Sequence, residues 1–145
     1  MKSPTTILFL CTGNSCRSQM AEGYARRLVA ERHAGDRISI RSAGIEAHGK
    51  NPRAIAVMAE DGIDISNQQS TRLSGDMLAD VDIIVTVCGH ADEHCPAVAA
   101  GMRKLHWPLS DPARAEGDED QIMAVFRASR DDIRERVRQL LDDLE

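Results

Sequence analysis

Long apolar runs, basic clusters and low-complexity tracts are all missing from this chain, and each absence removes a class of function. No apolar run approaches the ~20 residues needed to cross a bilayer. The opening Met1-Lys2-Ser3-Pro4 leads into no signal-peptide core, so a cytoplasmic location is expected. The net charge of −5, without a basic cluster, argues against nucleic acid or an anionic membrane as the main partner. No repeat or linker composition interrupts the 145 residues, which read as one domain, 1–145, long enough for a full core. In a cytoplasmic chain the four cysteines point to catalysis, redox chemistry or metal rather than to structural disulfides.

The most informative stretch is Cys11-Thr12-Gly13-Asn14-Ser15-Cys16-Arg17-Ser18. Ile7-Leu8-Phe9-Leu10 before it reads as a buried parallel strand, and after it Met20, Ala21, Tyr24, Ala25, Leu28 and Val29 recur at helical spacing. The loop therefore lies at a strand-to-helix turn. There the backbone N–H groups of Thr12, Gly13, Asn14, Ser15, Cys16 and Arg17 and the positive end of the helix converge, which favours a tetrahedral anion and a thiolate at Cys11. Arg17 adds a planar fork suited to two oxyanion oxygens. Ser18 can donate to the sulfur, Asn14 tolerates left-handed backbone and can brace the loop, and Gly13 permits close approach. A Cys-x5-Arg spacing met at random is a buried cysteine and a surface arginine; the strand, turn and helix around this one set that reading aside.

Further along, Arg37 to Ser42 alternates like a second strand, and Pro52 to Asp61 predicts a helix closed by Gly62. Ser74 to Ala79 predicts another helix, Asp82 to Val87 a strong strand and Arg103 to Trp107 a weaker one. Ile122, Phe126, Ile133, Val137, Leu140 and Leu144 mark a long amphipathic helix, and the acidic run from Glu116 to Asp120 suits its start. The alternation implies an α/β fold: a four-stranded parallel sheet with helices on both faces, in three layers, and a ligand site at the carboxyl ends of the strands. Cys11 and Cys88, each just after an apolar strand, would share that edge.

Cys88-Gly89-His90-Ala91-Asp92-Glu93-His94-Cys95-Pro96 follows the third strand. If this segment is helical, the rise per residue sets the two sulfurs about 10 Å apart, too far for a disulfide without unwinding. Gly89 and Pro96 at its ends disfavour a stable helix interior. Cys88, His90, His94 and Cys95 are also zinc-type ligands, but ligands so close together, without a distant second pair, rarely close a tetrahedral site. Redox chemistry is the favoured reading, with His90 and His94 as surface residues. Ser110-Asp111-Pro112 is by itself a turn signal, yet at the catalytic edge Asp111 could protonate a departing oxygen as a general acid.

Taken together, Cys11 through Gly23, Ser42-Ala43-Gly44-Ile45-Glu46, His48-Gly49, Asn51-Pro52, Asp64-Ile65-Ser66-Asn67, Thr86-Val87-Cys88, Cys95-Pro96, His106-Trp107 and Asp111-Pro112-Ala113 resemble the thioredoxin-coupled arsenate reductases. That family shares its fold and anion loop with the low-molecular-weight protein tyrosine phosphatases and differs by added redox cysteines. The resemblance implies reduction of arsenate to arsenite. Cys11 attacks arsenate held by the loop amides and Arg17, assisted by Ser18, while Asp111 helps water leave. Cys88 then attacks Cys11, giving a Cys11–Cys88 disulfide, and Cys95 moves it to Cys88–Cys95, where thioredoxin, as electron donor, reduces it. Cys16 has no place in the relay and is expected to be structural. No bound cofactor is implied.

Some members of the family use a potassium ion near the loop on residues matching Asn14, Glu22 and Ser42. The stretch Gln68-Gln69-Ser70-Thr71 lacks the acidic residue expected there, and no metal is expected. A monomer is expected, as is weak phosphatase activity, since the loop should hold phosphate too. The alternative reading is a tyrosine phosphatase or small phosphomonoesterase. Against it, aromatic content is only 3%, and Ala113-Arg114 follows Asp111-Pro112 where the phosphatases usually carry tyrosines. A non-enzymatic oxyanion-binding or redox-sensing protein is a third reading, which turnover would eliminate.

Overall fold

The computed structural model describes residues 4–88 and 101–144. The apolar run before Cys11 forms strand β1, Thr5–Cys11, and the sheet is completed by β2, Ile38–Gly44, β3, Ile83–Thr86, and β4, Arg103–His106. Helices α1, Arg17–Glu31, α2, Pro52–Glu60, and α3, Glu119–Leu144, alternate with them. All neighbouring strands are parallel, in the order β2-β1-β3-β4. The α/β class and the four-stranded parallel sheet are as expected. Among the described residues, no helix is long and apolar enough to cross a membrane.

The strand order fixes where a ligand binds. From β1 the sheet is extended in one direction by β2 and in the other by β3, so the connections part at the carboxyl ends of β1 and β3 and leave a crevice there. Cys11 closes β1 at that crevice and Cys88 follows β3 by two residues. Ile7, Leu8, Phe9 and Leu10 are inaccessible to solvent, as a central strand covered on both faces requires. Phe9 meets Trp107, just beyond β4, with ring centroids 5.7 Å apart at a tilt of 44°. Truncating Phe9 to alanine would cost about 3–5 kcal/mol by the cavity it leaves.

Local signals set most helix ends. Asn51 caps α2, its Oδ1 accepting from the backbone N–H groups of Arg53 (2.8 Å) and Ala54 (3.3 Å), with Pro52 at the first helical position. α3 begins earlier than its apolar stripe because Asp118 and Gln121 form a reciprocal capping box, at 2.8 and 2.9 Å. The expected helix over Ser74 to Ala79 is a single 3-10 turn, Gly75–Leu78; it has no fully buried residue, and only Met77 and Leu78 rest against the core, too little apolar surface to extend it. β2 runs on to Gly44 because its last residues pair with Leu10 and Cys11 of β1.

α1 is the exception. Its first residues carry no side-chain cap, and no acidic residue stands in its first turn. The N-terminal donors of this helix are left open toward the crevice.

Candidate active site

The loop from Cys11 to Arg17 turns inside the crevice and is braced from behind by Asn14. That residue is wholly buried and left-handed, with φ of 47°. Its Oδ1 accepts from Thr71 N (2.7 Å) and Gln19 Nε2 (3.1 Å), and its Nδ2 donates to Ser18 Oγ (2.8 Å) and Ser42 Oγ (3.0 Å). Two glycines are required by space. A Cβ on Gly13 would stand 2.4 Å from His48 Nδ1, and one on Gly44 would stand 2.6 Å from the Asn14 backbone nitrogen. The segment after β2 thus closes over the loop, held by backbone bonds from Ile45, Glu46 and His48 to the carbonyls of Cys11, Thr12 and Gly13.

Cys11 is 3% exposed, and its sulfur lies 2.8 Å from Ser18 Oγ. Cys16, on the same loop, is a different thiol: burial, with the Asp111 carboxylate as the next contribution, pushes it far above the ordinary cysteine range and keeps it protonated. Cys88 enters from β3, and its sulfur lies 3.2 Å from Thr12 Oγ1, so the second thiol is tied to the anion loop itself.

Arg17 is fastened by backbone groups the sequence gives no sign of. Its Nη1 donates to the carbonyls of Leu109 (3.0 Å) and Val87 (3.5 Å), and its Nη2 stands 3.6 Å from Asp111 Oδ2. Its Nε is buried with no hydrogen-bond partner. A buried, unsatisfied cationic donor is costly unless something negative occupies the space before it. Asp111 uses Oδ1 to accept from Ala113 N at 3.0 Å, which fixes its carboxyl on the far side of the opening. A cavity of about 700 Å³ joins Cys11, Thr12, Gly13, Ser15, Cys16, Arg17, Cys88 and Asp111, with His48 and Arg114 at its walls.

The structure therefore gathers Cys11 to Ser18, Cys88 and Asp111 in one place. Cys95, His90 and His94 lie outside the described residues, and with them most of the zinc-type set. His48 was unremarked as a wall of the cavity; the signal for it was Gly13, whose missing side chain makes room for the imidazole. The potassium ligands of some relatives can be tested on their donors. Asn14 Oδ1 already takes two hydrogen bonds, Ser42 Oγ donates to Glu22 Oε1, and Glu22 Oε2 is 2.7 Å from Arg26 Nε. Both Glu22 oxygens are thus engaged, one of them by a guanidinium, and these residues do not fit a metal ion.

Comparison with known proteins agrees with this geometry. Residues 6–145 match the family of low molecular weight phosphotyrosine protein phosphatases. The chain is 48% identical over 140 residues to an arsenate reductase of Bacillus licheniformis, covering 97% of each. It is similar to a solved arsenate reductase in the oxidized state, with a TM-score of 0.78 and 33% identity over 97% of this chain and 99% of the other. A thioredoxin-dependent arsenate reductase of Corynebacterium glutamicum aligns with a TM-score of 0.72 and 26% identity, over 98% of this chain and 62% of that one.

Proposed function

From the premise that the chain belongs to the low molecular weight phosphotyrosine protein phosphatase family, among its arsenate reductases, we propose that it reduces arsenate to arsenite by a relay of three cysteines regenerated by thioredoxin. The observation that carries the reading is the pairing of Cys88 with Thr12 at 3.2 Å, in the cavity that Arg17, with its orphaned Nε, also lines. A phosphatase needs the anion loop and an acid; it has no use for a second thiol hydrogen-bonded to that loop.

Arsenate enters the loop, where the open amides of α1 and Arg17 Nε take its oxygens. The Cys11 thiolate, with Ser18 donating to it, attacks arsenic, and one oxygen leaves as water on a proton from Asp111. Cys88 attacks the Cys11 sulfur; the S–As bond breaks, its electron pair stays on arsenic, and arsenite departs as a Cys11–Cys88 disulfide forms. Arsenic gains two electrons and two thiols lose them. Cys95 then attacks Cys88, frees Cys11 and leaves a Cys88–Cys95 disulfide for thioredoxin. The cycle runs in one domain, 1–145, as a cytoplasmic monomer, and serves arsenic detoxification.

The test is NADPH consumption by the reduced protein with thioredoxin and thioredoxin reductase, with and without arsenate. Sustained arsenate-dependent consumption is expected, absent in Cys88→Ser and stalled after one turnover in Cys95→Ser. Unchanged multiple turnover in Cys95→Ser would remove that residue from the relay. The shared loop and Asp111 also support slow hydrolysis of an aryl phosphate. Rapid hydrolysis without arsenate-dependent consumption would make the protein a phosphatase instead.

A further inference from the structure

We infer that Arg26 is a built-in cation that holds the hydrogen bonds behind Cys11 in one direction through Glu22, in place of any bound monovalent ion. The inference rests on the reading of Cys11 as the nucleophile. Direction can be assigned because the chain of bonds starts from a group that only donates. Thr71 N–H meets Asn14 at 2.7 Å, so the atom it meets is the carbonyl oxygen, and Asn14 Nδ2 must face the two serines. Both of its hydrogens are then committed, one to Ser18 Oγ at 2.8 Å and one to Ser42 Oγ at 3.0 Å.

Each serine, having accepted, passes its own proton outward. Ser42 gives its proton to Glu22 Oε1, and Ser18 Oγ lies 2.8 Å from Cys11 Sγ, to which it donates when Cys11 is the thiolate nucleophile. With Cys11 as the attacking thiolate, the sequence of bonds runs from the Glu22 carboxylate behind the loop to the nucleophile inside it. If Glu22 stops accepting, Ser42 loses the partner that fixes its hydroxyl. Asn14 then loses its second acceptor, and Ser18 is freed to turn its proton away from sulfur.

Glu22 is only 6% exposed, and a buried carboxylate is stable only with a cation beside it. Arg26, one helical turn further along α1, supplies it: Nε lies 2.7 Å from Glu22 Oε2 and Nη2 donates to Ile40 O on β2 at 2.8 Å. A second cavity, behind the loop, is lined by Glu22, Arg26, Arg41, Ser42 and Asp64, and its other charged groups are differently engaged. Arg41 is clamped in two bonds to Asp80, and Asp64 accepts from Ser66. With every oxygen of Asn14, Ser42 and Glu22 that faces this network already bonded, the guanidinium does what a metal ion would otherwise do. Arg26 touches no substrate; it is a positioning residue.

The experiment compares wild type, Arg26→Met and Arg26→Lys in potassium chloride and in choline chloride at equal ionic strength. It reads Cys11 alkylation by iodoacetamide, mapped on the Cys11 peptide, alongside arsenate turnover and the thermal midpoint. Wild type is expected to give the same alkylation rate in both salts. Arg26→Met should lose roughly tenfold in choline, the worth of one charge-assisted bond, and recover most of it in potassium. Arg26→Lys, which keeps the charge, should stay close to wild type. A potassium-specific acceleration of wild type, or a wild-type rate for Arg26→Met in choline, overturns the inference. If Arg26→Met does not fold, the wild-type comparison alone decides. Because alkylation needs no arsenate, absent turnover with this alkylation pattern intact would refute the reductase reading and leave the role of Arg26 standing.

Discussion

Arg17 and Arg130 are equally buried, at 8% and 9% exposure, and the two regions that hold them are built on opposite terms. Arg130, on α3, donates through Nε to Asp131 (3.0 Å) and through Nη1 to Val57 O (2.8 Å) and Glu60 (2.9 Å). Around it Arg127 pairs with Glu60, Arg134 with Asp61, and Tyr24 with Asp61, so three helices are clamped by groups that satisfy one another. Arg17 is held as firmly, by Leu109 O and Asp111, but keeps one buried donor idle, the only such side-chain atom among the described residues. Saturation marks a structural cluster; a fixed group with one unmet donor marks a place reserved for a ligand.

That contrast can be broken from either side. Arg17→Lys removes the fork and the orphaned donor together, and arsenate turnover should fall by roughly 10²–10³-fold, as when one preorganised oxyanion donor is lost. Its thermal midpoint should fall only slightly, because the Leu109 and Val87 carbonyls and the Asp111 carboxylate lose a partner while the cost of the orphaned donor is removed with it. A fall in stability matching the loss of turnover would place Arg17 in the structural class. Arg130→Met should do the reverse. Denaturant unfolding should show a loss of about 2 kcal/mol, below the 3–5 typical of a broken buried pair because Glu60 keeps access to water and to Arg127. Turnover per folded molecule should be unchanged, and a large drop in it would mean that the α3 clamp reaches the loop.

The two regions also differ in how far the sequence betrayed them. The loop was legible because a run of inaccessible strand residues, a helical repeat beginning at Ser18, and Cys11 and Arg17 framing five residues all point to one geometry. The fold's outline was legible for the same reason, in the periodicity of β1, β3 and α3. What escaped was carried by backbone or by distance. The carbonyls of Val87 and Leu109 that aim Arg17 have no side-chain signature, and Thr12 meets Cys88 across 76 positions. Glu22 entered only as a match to a potassium ligand of some relatives and Arg26 not at all, since nothing in their spacing says that one end of the pair is buried behind a nucleophile. The turn at Gly75–Leu78 looked helical because Met77 and Leu78 are good helix formers, but these two partly buried side chains are all that the turn sets against the core.

The smallest test sharpens the comparison by titrating the clamp instead of cutting it. Asp61 is held below the ordinary carboxylate range first by the Tyr24 hydroxyl, then by Arg130 and Arg134, while burial and the Asp61 bond push the Tyr24 phenol well above its ordinary value. A carboxylate lowered in the folded state stabilises above its unfolded value of about 3.9, and that contribution is lost as pH falls through the lower folded value. A phenol raised in the folded state stabilises below its unfolded value of about 10, and that contribution is lost as pH rises beyond it. Tyr24→Phe removes the first cause for Asp61 and the titrating group itself at the alkaline end. At neutral pH it should cost about 1 kcal/mol, one hydrogen bond. Its unfolding free energy should then fall less steeply than wild type on both sides, in acid because Asp61 begins nearer its unfolded value and in alkali because no phenol is left there to ionise. Arsenate turnover should not change, because the clamp has no idle donor for the anion to meet. Parallel stability curves for the two proteins from pH 3 to 11, measured by denaturant unfolding, would show that Tyr24 fills space beside Asp61 without holding its charge.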